Sequence, residues 1–233
     1  MVAVAGAGGK TTLIYGVAAE ARAAGLRVLV TTTTHMGTLP EGTTGPVVVE
    51  ADGDPEPGIE RALVRGGVAT LVGRRVRADK LEGVPPERVD ALARRADLVL
   101  VEADGARGRS LKTPAQHEPV VPGSTTLLVV LAALDVLGRP LAEADVHRVD
   151  RVAAAAGREP GSTIDEDVVV ATLCDPAGYP SRFRAGARAA VFLNKAENPA
   201  ALDAAARIAR RLVPPYHVVV AGSARAGSAR ALG

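Results

Sequence analysis

Between Val2 and Thr12 the chain writes an apolar strand, a glycine-rich turn and the start of a helix, and few architectures accommodate that order. Val2–Ala5 are small and apolar, Gly6-Ala7-Gly8-Gly9-Lys10-Thr11-Thr12 follow, and a helical pattern runs from Lys10 to Ala24. Gly25 comes next, a residue type that stops helices well. Glycines in such a turn let successive backbone N–H groups converge on one anion. The helix start adds the positive end of its dipole. In that context Lys10 supplies a point charge for the outer phosphates and Thr11 a hydroxyl for Mg2+. The segment reads as a phosphate loop.

The rest of the chain repeats the strand–helix alternation. Strand-like runs lie at Arg27–Thr31, Val47–Val49, Val68–Val72, Asp97–Val101, Thr125–Leu131, Ala190–Leu193 and Val218–Val220. Helical patterns cover Ile59–Arg65, Pro86–Arg95, Ala144–Ala156, Asp165–Leu173 and Pro199–Leu212. Near-continuous apolar strands alternating with helices predict an α/β fold with a mostly parallel sheet, three-layered and like that of P-loop NTPases. Residues 1–222 are expected to form a single domain, with a hairpin or lid at about 72–84. Residues 223–233 are expected to be a fraying C-terminal tail. Ser162 is the expected cap of the helix after it, and His147-Arg148 are expected early in a helix. Cys174, at a helix end, is expected to be buried and inert.

Composition removes several function classes. Formal net charge is only +2, which argues against a nucleic-acid groove. Aromatic residues are 2% of the chain, too few for base stacking on exposed rings. The single cysteine excludes an internal disulfide and a cysteine zinc cluster, and points to a reducing cytoplasm. The longest apolar run, Leu127–Leu134, is too short for a bilayer, and no signal-peptide pattern opens the sequence.

Partner motifs follow the loop in order. Asp97-Leu-Val-Leu-Val-Glu102 is an apolar strand ending in a carboxylate placed to orient Mg2+. Glu102-Ala-Asp104-Gly105 mimics the D-x-x-G switch of GTPases, with Asp104 a candidate base or water-positioner. Thr31-Thr-Thr33-Thr34-His35 sets hydroxyls at a carboxyl strand end, where α/β folds bind ligands. Thr33 is the candidate to reach Mg2+, and Thr34 and His35 candidate substrate contacts. Asn194-Lys195-Ala-Glu197 resembles the guanine-reading N-K-x-D motif, and Ser223-Ala224 stands where GTPases carry S-A. This ordered pair places GTP ahead of ATP. The shorter loop, G-x-x-G-K-T-T with Val4 where the longer form needs glycine, resembles that of the Mur ligases and keeps a ligase open.

Of 28 basic residues only Lys10, Lys80, Lys112 and Lys195 are lysine. A chain drifting toward arginine should keep lysine where a compact ammonium is needed. Lys80 and Lys112 are therefore expected to line the γ-phosphate cleft. Arg107, Arg109, Lys112 and His117 read as a cationic rim for an anionic substrate.

The string GAGGKTT, VTTTTHM, KLEG, VEADGARGRSLK, HEPVVP, ALDVLGRPL, VHR and LNKAE, from Val2 to about Glu197, resembles the YqeC family. That resemblance implies a cytoplasmic P-loop NTP-binding protein. It also implies a role beside molybdopterin-modifying enzymes in the maturation of selenium-dependent molybdenum hydroxylases. Three activities remain open: an NTP hydrolase, a phosphotransferase or ligase acting on an anionic small molecule, and a non-catalytic nucleotide-gated module.

Overall fold

The computed structural model describes residues 1–37, 45–77 and 80–232. In chain order the elements begin with β1 (Val2–Gly6), α1 (Lys10–Ala23), β2 (Val28–Thr32), β3 (Met36–Gly37) and β4 (Val47–Val49). Next come α2 (Glu56–Gly66), β5 (Val68–Val72), β6 (Arg74–Arg77), β7 (Lys80–Glu82), α3 (Pro86–Leu92) and β8 (Leu98–Glu102). Then follow β9 (Leu111–Lys112), β10 (Leu127–Ala133), β11 (Val146–His147), α4 (Val149–Ala156) and α5 (Glu166–Cys174). The last four are β12 (Arg188–Asn194), α6 (Pro199–Leu212), β13 (Val218–Ser223) and β14 (Ser228–Ala231). The chain divides into two compact units.

The first unit holds Met1–Val4, Thr11–Gly105 and Val120–Thr126. Its strands run parallel in the order β1-β8-β2-β5-β4. β2 and β5 are buried along their whole length, which explains their unbroken apolar runs. Ile59 and Leu63 of α2 and Val89 and Leu92 of α3 pack on Leu29, Leu71, Val99 and Val101. Each such side chain contributes roughly 1.5–3 kcal/mol when fully buried. The segment 72–84 is a hairpin: β6 and β7 pair antiparallel, and β7 also pairs with β3. Residues 78–79 at its turn lie outside the described residues.

The second unit holds Ala5–Lys10, Ala106–Pro119 and Leu127–Gly233. β10, β12 and β13 run parallel, and β14 closes the row antiparallel to β13. Residues 228–231 are thus a strand rather than a frayed tail. They satisfy backbone groups that β13 would otherwise leave open at an edge. Asn198 caps α6, its side chain accepting from Ala201 N at 2.9 Å. Asp165, not Ser162, caps α5 by accepting from Val168 N at 3.0 Å. α4 starts at Val149, later than the pattern predicts, because Arg148 holds a left-handed φ of 64° that a helix cannot contain. His147 consequently lies on β11, paired in parallel with Lys112 of β9.

Candidate nucleotide site

The loop after β1 is a cradle made by glycine. Gly6 has φ 95°, and a Cβ there would meet the Leu131 carbonyl oxygen at 2.2 Å. Gly9 has φ 119°, and a Cβ would meet Asn194 Nδ2 at 2.5 Å. Neither position tolerates a side chain. Ala7 is buried and its N–H is committed to Leu131 O at 3.0 Å, so that one amide does not face a ligand. Lys10 opens α1 and is buried, its Nζ donating to the carbonyl of Gly6 at 2.8 Å. The ammonium therefore lies folded over its own loop.

In the first unit, Thr11 Oγ1 donates to Glu102 Oε2 at 2.8 Å. Glu102 is buried at the carboxyl end of β8, as the apolar strand ending in a carboxylate predicts. Thr33 lies beside it: its N–H bonds Glu102 O at 3.1 Å and its hydroxyl donates to Val120 O at 2.6 Å. Thr11, Glu102 and Thr33 thus present only oxygen donors, the set that Mg2+ prefers. Among the described residues there is no cluster of three or more His, Cys, Asp or Glu side chains able to hold a metal. Asp104 follows directly and is fully buried. Thr34 Oγ1 is buried with no hydrogen-bond partner among the described residues. Thr12 and His35 are exposed, and Lys80 is half-buried on β7.

In the second unit, Asn194 at the end of β12 is a strut. Its Nδ2 donates to Gly8 O at 2.6 Å and its Oδ1 accepts from Ala224 N at 2.9 Å. The phosphate loop, the N-K-x-E segment and Ser223-Ala224 are therefore joined through one buried amide. Glu197 Oε1 accepts from Ser223 Oγ at 2.7 Å. Lys195 donates to Asp135 Oδ2 at 2.7 Å and Ser110 Oγ at 3.1 Å. Sequence reasoning missed Asp135 and Ser110. Nothing in their spacing marks them, because they reach Lys195 only through the fold.

The cationic rim divides. Arg107 and His117 are exposed, and Arg109 donates to Ala144 O at 3.0 Å. Lys112 does not stand on the rim: its side chain is 0% exposed and its Nζ bonds Glu118 Oε2 at 2.8 Å. Arg148 Nη1 reaches the same oxygen at 2.6 Å. Burial alone would raise the Glu118 carboxyl, but the Arg148 and Lys112 bonds outweigh it and hold the group at about 2. Cys174 is half-buried rather than buried, and desolvation pushes its thiol up.

Strand, glycine cradle and the helix-borne Lys10-Thr11 make this a P-loop protein. The profile of the YqeC protein family matches residues 2–150. YqeC of Escherichia coli (strain K12) is 34% identical over 197 residues, covering 84% of this chain and 75% of the relative. The chain belongs to the YqeC family. Among solved structures it is similar to FtsY from Mycoplasma mycoides (TM-score 0.44, 14% identity), spanning 100% of this chain and 62% of FtsY. It is also similar to the 54 kDa signal recognition particle protein from Aeropyrum pernix K1 in complex with GDP (TM-score 0.41, 16% identity), spanning 99% and 43%. The chain thus spans less than two thirds of either solved structure. Among the described residues no helix is long and apolar enough to cross a membrane.

Proposed function

We propose that this chain binds a nucleoside triphosphate with Mg2+ and hydrolyses its γ-phosphate, GTP ahead of ATP. The single observation that carries this reading is the glycine cradle, with Lys10 folded onto Gly6 at its mouth and Thr11 bonded to Glu102. A ligand phosphate would draw Lys10 Nζ off the Gly6 carbonyl. The amides of Gly8 and Gly9 and the start of α1 complete the anion site. Thr11 and Glu102, with Thr33 beside them, would hold Mg2+, which when bound neutralises charge on the phosphate oxygens. Asp104 places the attacking water. Lys195 and Glu197 face the base, and Asn194 holds the loop against Ser223 and Ala224.

The cellular role in this reading is cytoplasmic maturation of molybdenum hydroxylases or their cofactor, and the partner is such a hydroxylase or a cofactor-modifying enzyme. Family membership supports it. A second reading, transfer of the γ-phosphate to an anionic acceptor, is favoured by the short Mur-like loop, with Thr34, His35, Lys80, Arg107, Arg109 and His117 as candidate contacts. Product analysis with γ-labelled GTP and Mg2+ separates the three activities. Inorganic phosphate released without any acceptor is the expected result. Label moving only to an added acceptor gives the transferase, and no turnover under either condition leaves a nucleotide-gated module.

A further inference from the structure

Three non-glycine residues among those described hold a positive φ, and all three are cationic: Arg107 at 49°, Arg148 at 64° and Lys195 at 59°. A left-handed backbone at a bulky residue persists where surrounding structure over-determines it, commonly at ligand clamps. Lys195 is accounted for by Asp135 and Ser110. The two arginines are not accounted for by the nucleotide site, and the charge of each acts on one ring, that of His147. Arg107 sits at the first central position of a tight turn closed by Arg109 N on Ala106 O at 2.9 Å. Arg148 directly follows His147.

His147 and Lys112 are register partners across β11 and β9. Lys112 and Arg148 share Glu118 Oε2, and Ala115 N reaches the same oxygen at 3.3 Å. This brace fixes Arg148 through Nη1 alone. The His147 imidazole and the Arg107 guanidinium make no hydrogen bond among the described residues. Thr113 Oγ1, next to Lys112, is buried and has no hydrogen-bond partner either. Lys112 and Arg148 converge on the one Glu118 carboxylate, and Arg107 adds an exposed guanidinium.

We propose that Arg107, His147 and Arg148 form an oxyanion subsite for the phosphate dianion of a small-molecule substrate, separate from the nucleotide cradle. Glu118 and Lys112 are positioning residues that hold Arg148. Two guanidinium forks with an imidazole supply donors around a tetrahedral oxyanion. Burial and the charges of Arg148, Lys112 and Arg107 hold the free His147 ring at about 4, against a smaller opposing effect of Glu118. A bound dianion favours the protonated imidazole, so ligand and proton bind together. The subsite communicates with the loop through one short segment: a Cβ on Gly8 would meet Ser110 O at 3.1 Å, and β9 starts at the next residue. It deepens the phosphotransfer reading by naming the group through which an acceptor is held.

The test uses the full chain carrying Lys10→Ala, so that phosphate at the cradle does not contribute. Imidazole NMR signals are followed at pH 7 and constant ionic strength during titration with inorganic phosphate. His147→Gln assigns the signal among the four histidines. The expected result is a saturable shift of the His147 signal toward that of the protonated ring. Arg107→Gln, at an exposed position whose guanidinium makes no hydrogen bond among the described residues, should weaken binding about tenfold, the order of one charge-assisted hydrogen bond. Acetate should give no saturable shift. A flat phosphate titration, an Arg107→Gln titration matching the parent, or acetate binding as tightly as phosphate each overturns the proposal. GTP failing to bind the parent while phosphate still titrates His147 removes the nucleotide reading and leaves the subsite standing.

Discussion

Lys112→Ala breaks a buried ion triad, and its cost follows from the geometry. The Lys112 side chain is wholly buried and bonds Glu118 Oε2 at 2.8 Å. Removing one partner of a buried pair costs roughly 3–5 kcal/mol. Glu118 keeps Arg148 at 2.6 Å, so the lower end, about 3 kcal/mol, is expected. For a chain of this size that lowers Tm by roughly 6–12 °C. Lys112→Arg should also destabilise, by about 1–3 kcal/mol, because the larger guanidinium has no room. The loss is pH-dependent. The folded Glu118 carboxyl sits at about 2 against an ordinary 4.5. A depressed folded pKa gives stability that is present above about 4.5 and lost as pH falls toward 2, worth about 3 kcal/mol at full extent. Thermal unfolding followed by circular dichroism at pH 7 and pH 2 checks this. The gap between parent and Lys112→Ala should be full at pH 7 and clearly smaller at pH 2. Equal melting at pH 7, or the same gap at both pH values, refutes the buried-triad account.

Further substitutions test the nucleotide site. Gly9→Ala places a Cβ against Asn194 Nδ2, so it should cut GTP affinity by about tenfold or more while the parent's far-ultraviolet spectrum persists; unchanged affinity in fluorescence titration contradicts the strut. Glu197→Ala should erase a preference for GTP over ATP and Glu197→Asp should keep it, as read by competition binding. A preference indifferent to Glu197 removes the guanine assignment.

The first elements were legible because their signals are local. The loop from Gly6 to Thr12 carries its glycines, lysine and threonine in sequence, and the structure places β1 and α1 on either side of it. Pro199–Leu212 and Val68–Val72 were equally plain from periodicity and are found with those bounds. Lys112 shows where local reading stops. Composition singled it out as a place needing a compact ammonium, and burial confirms a special environment, but its partner Glu118 is an internal carboxylate rather than a substrate. Arg148 reaches that carboxylate across 30 positions, a pairing that no spacing rule encodes. The start of α4 was misread for a backbone reason: apolar and polar residues from Ala144 continue the helical pattern, yet the left-handed Arg148 interrupts it. Residues 228–231 looked like a tail because small and basic residues carry little strand propensity; the open edge of β13 recruits them regardless.

The central claim is that the cradle binds nucleotide phosphate through Lys10, and calorimetric titration of GTP with Mg2+ into the parent and Lys10→Ala chains tests it most directly. The Lys10 ammonium should contribute about 2–4 kcal/mol, by analogy with loss of one preorganised donor. The account predicts saturable binding to the parent and an affinity at least thirtyfold weaker, on the order of that energy, for a folded Lys10→Ala chain. Equal affinity for both chains would contradict it.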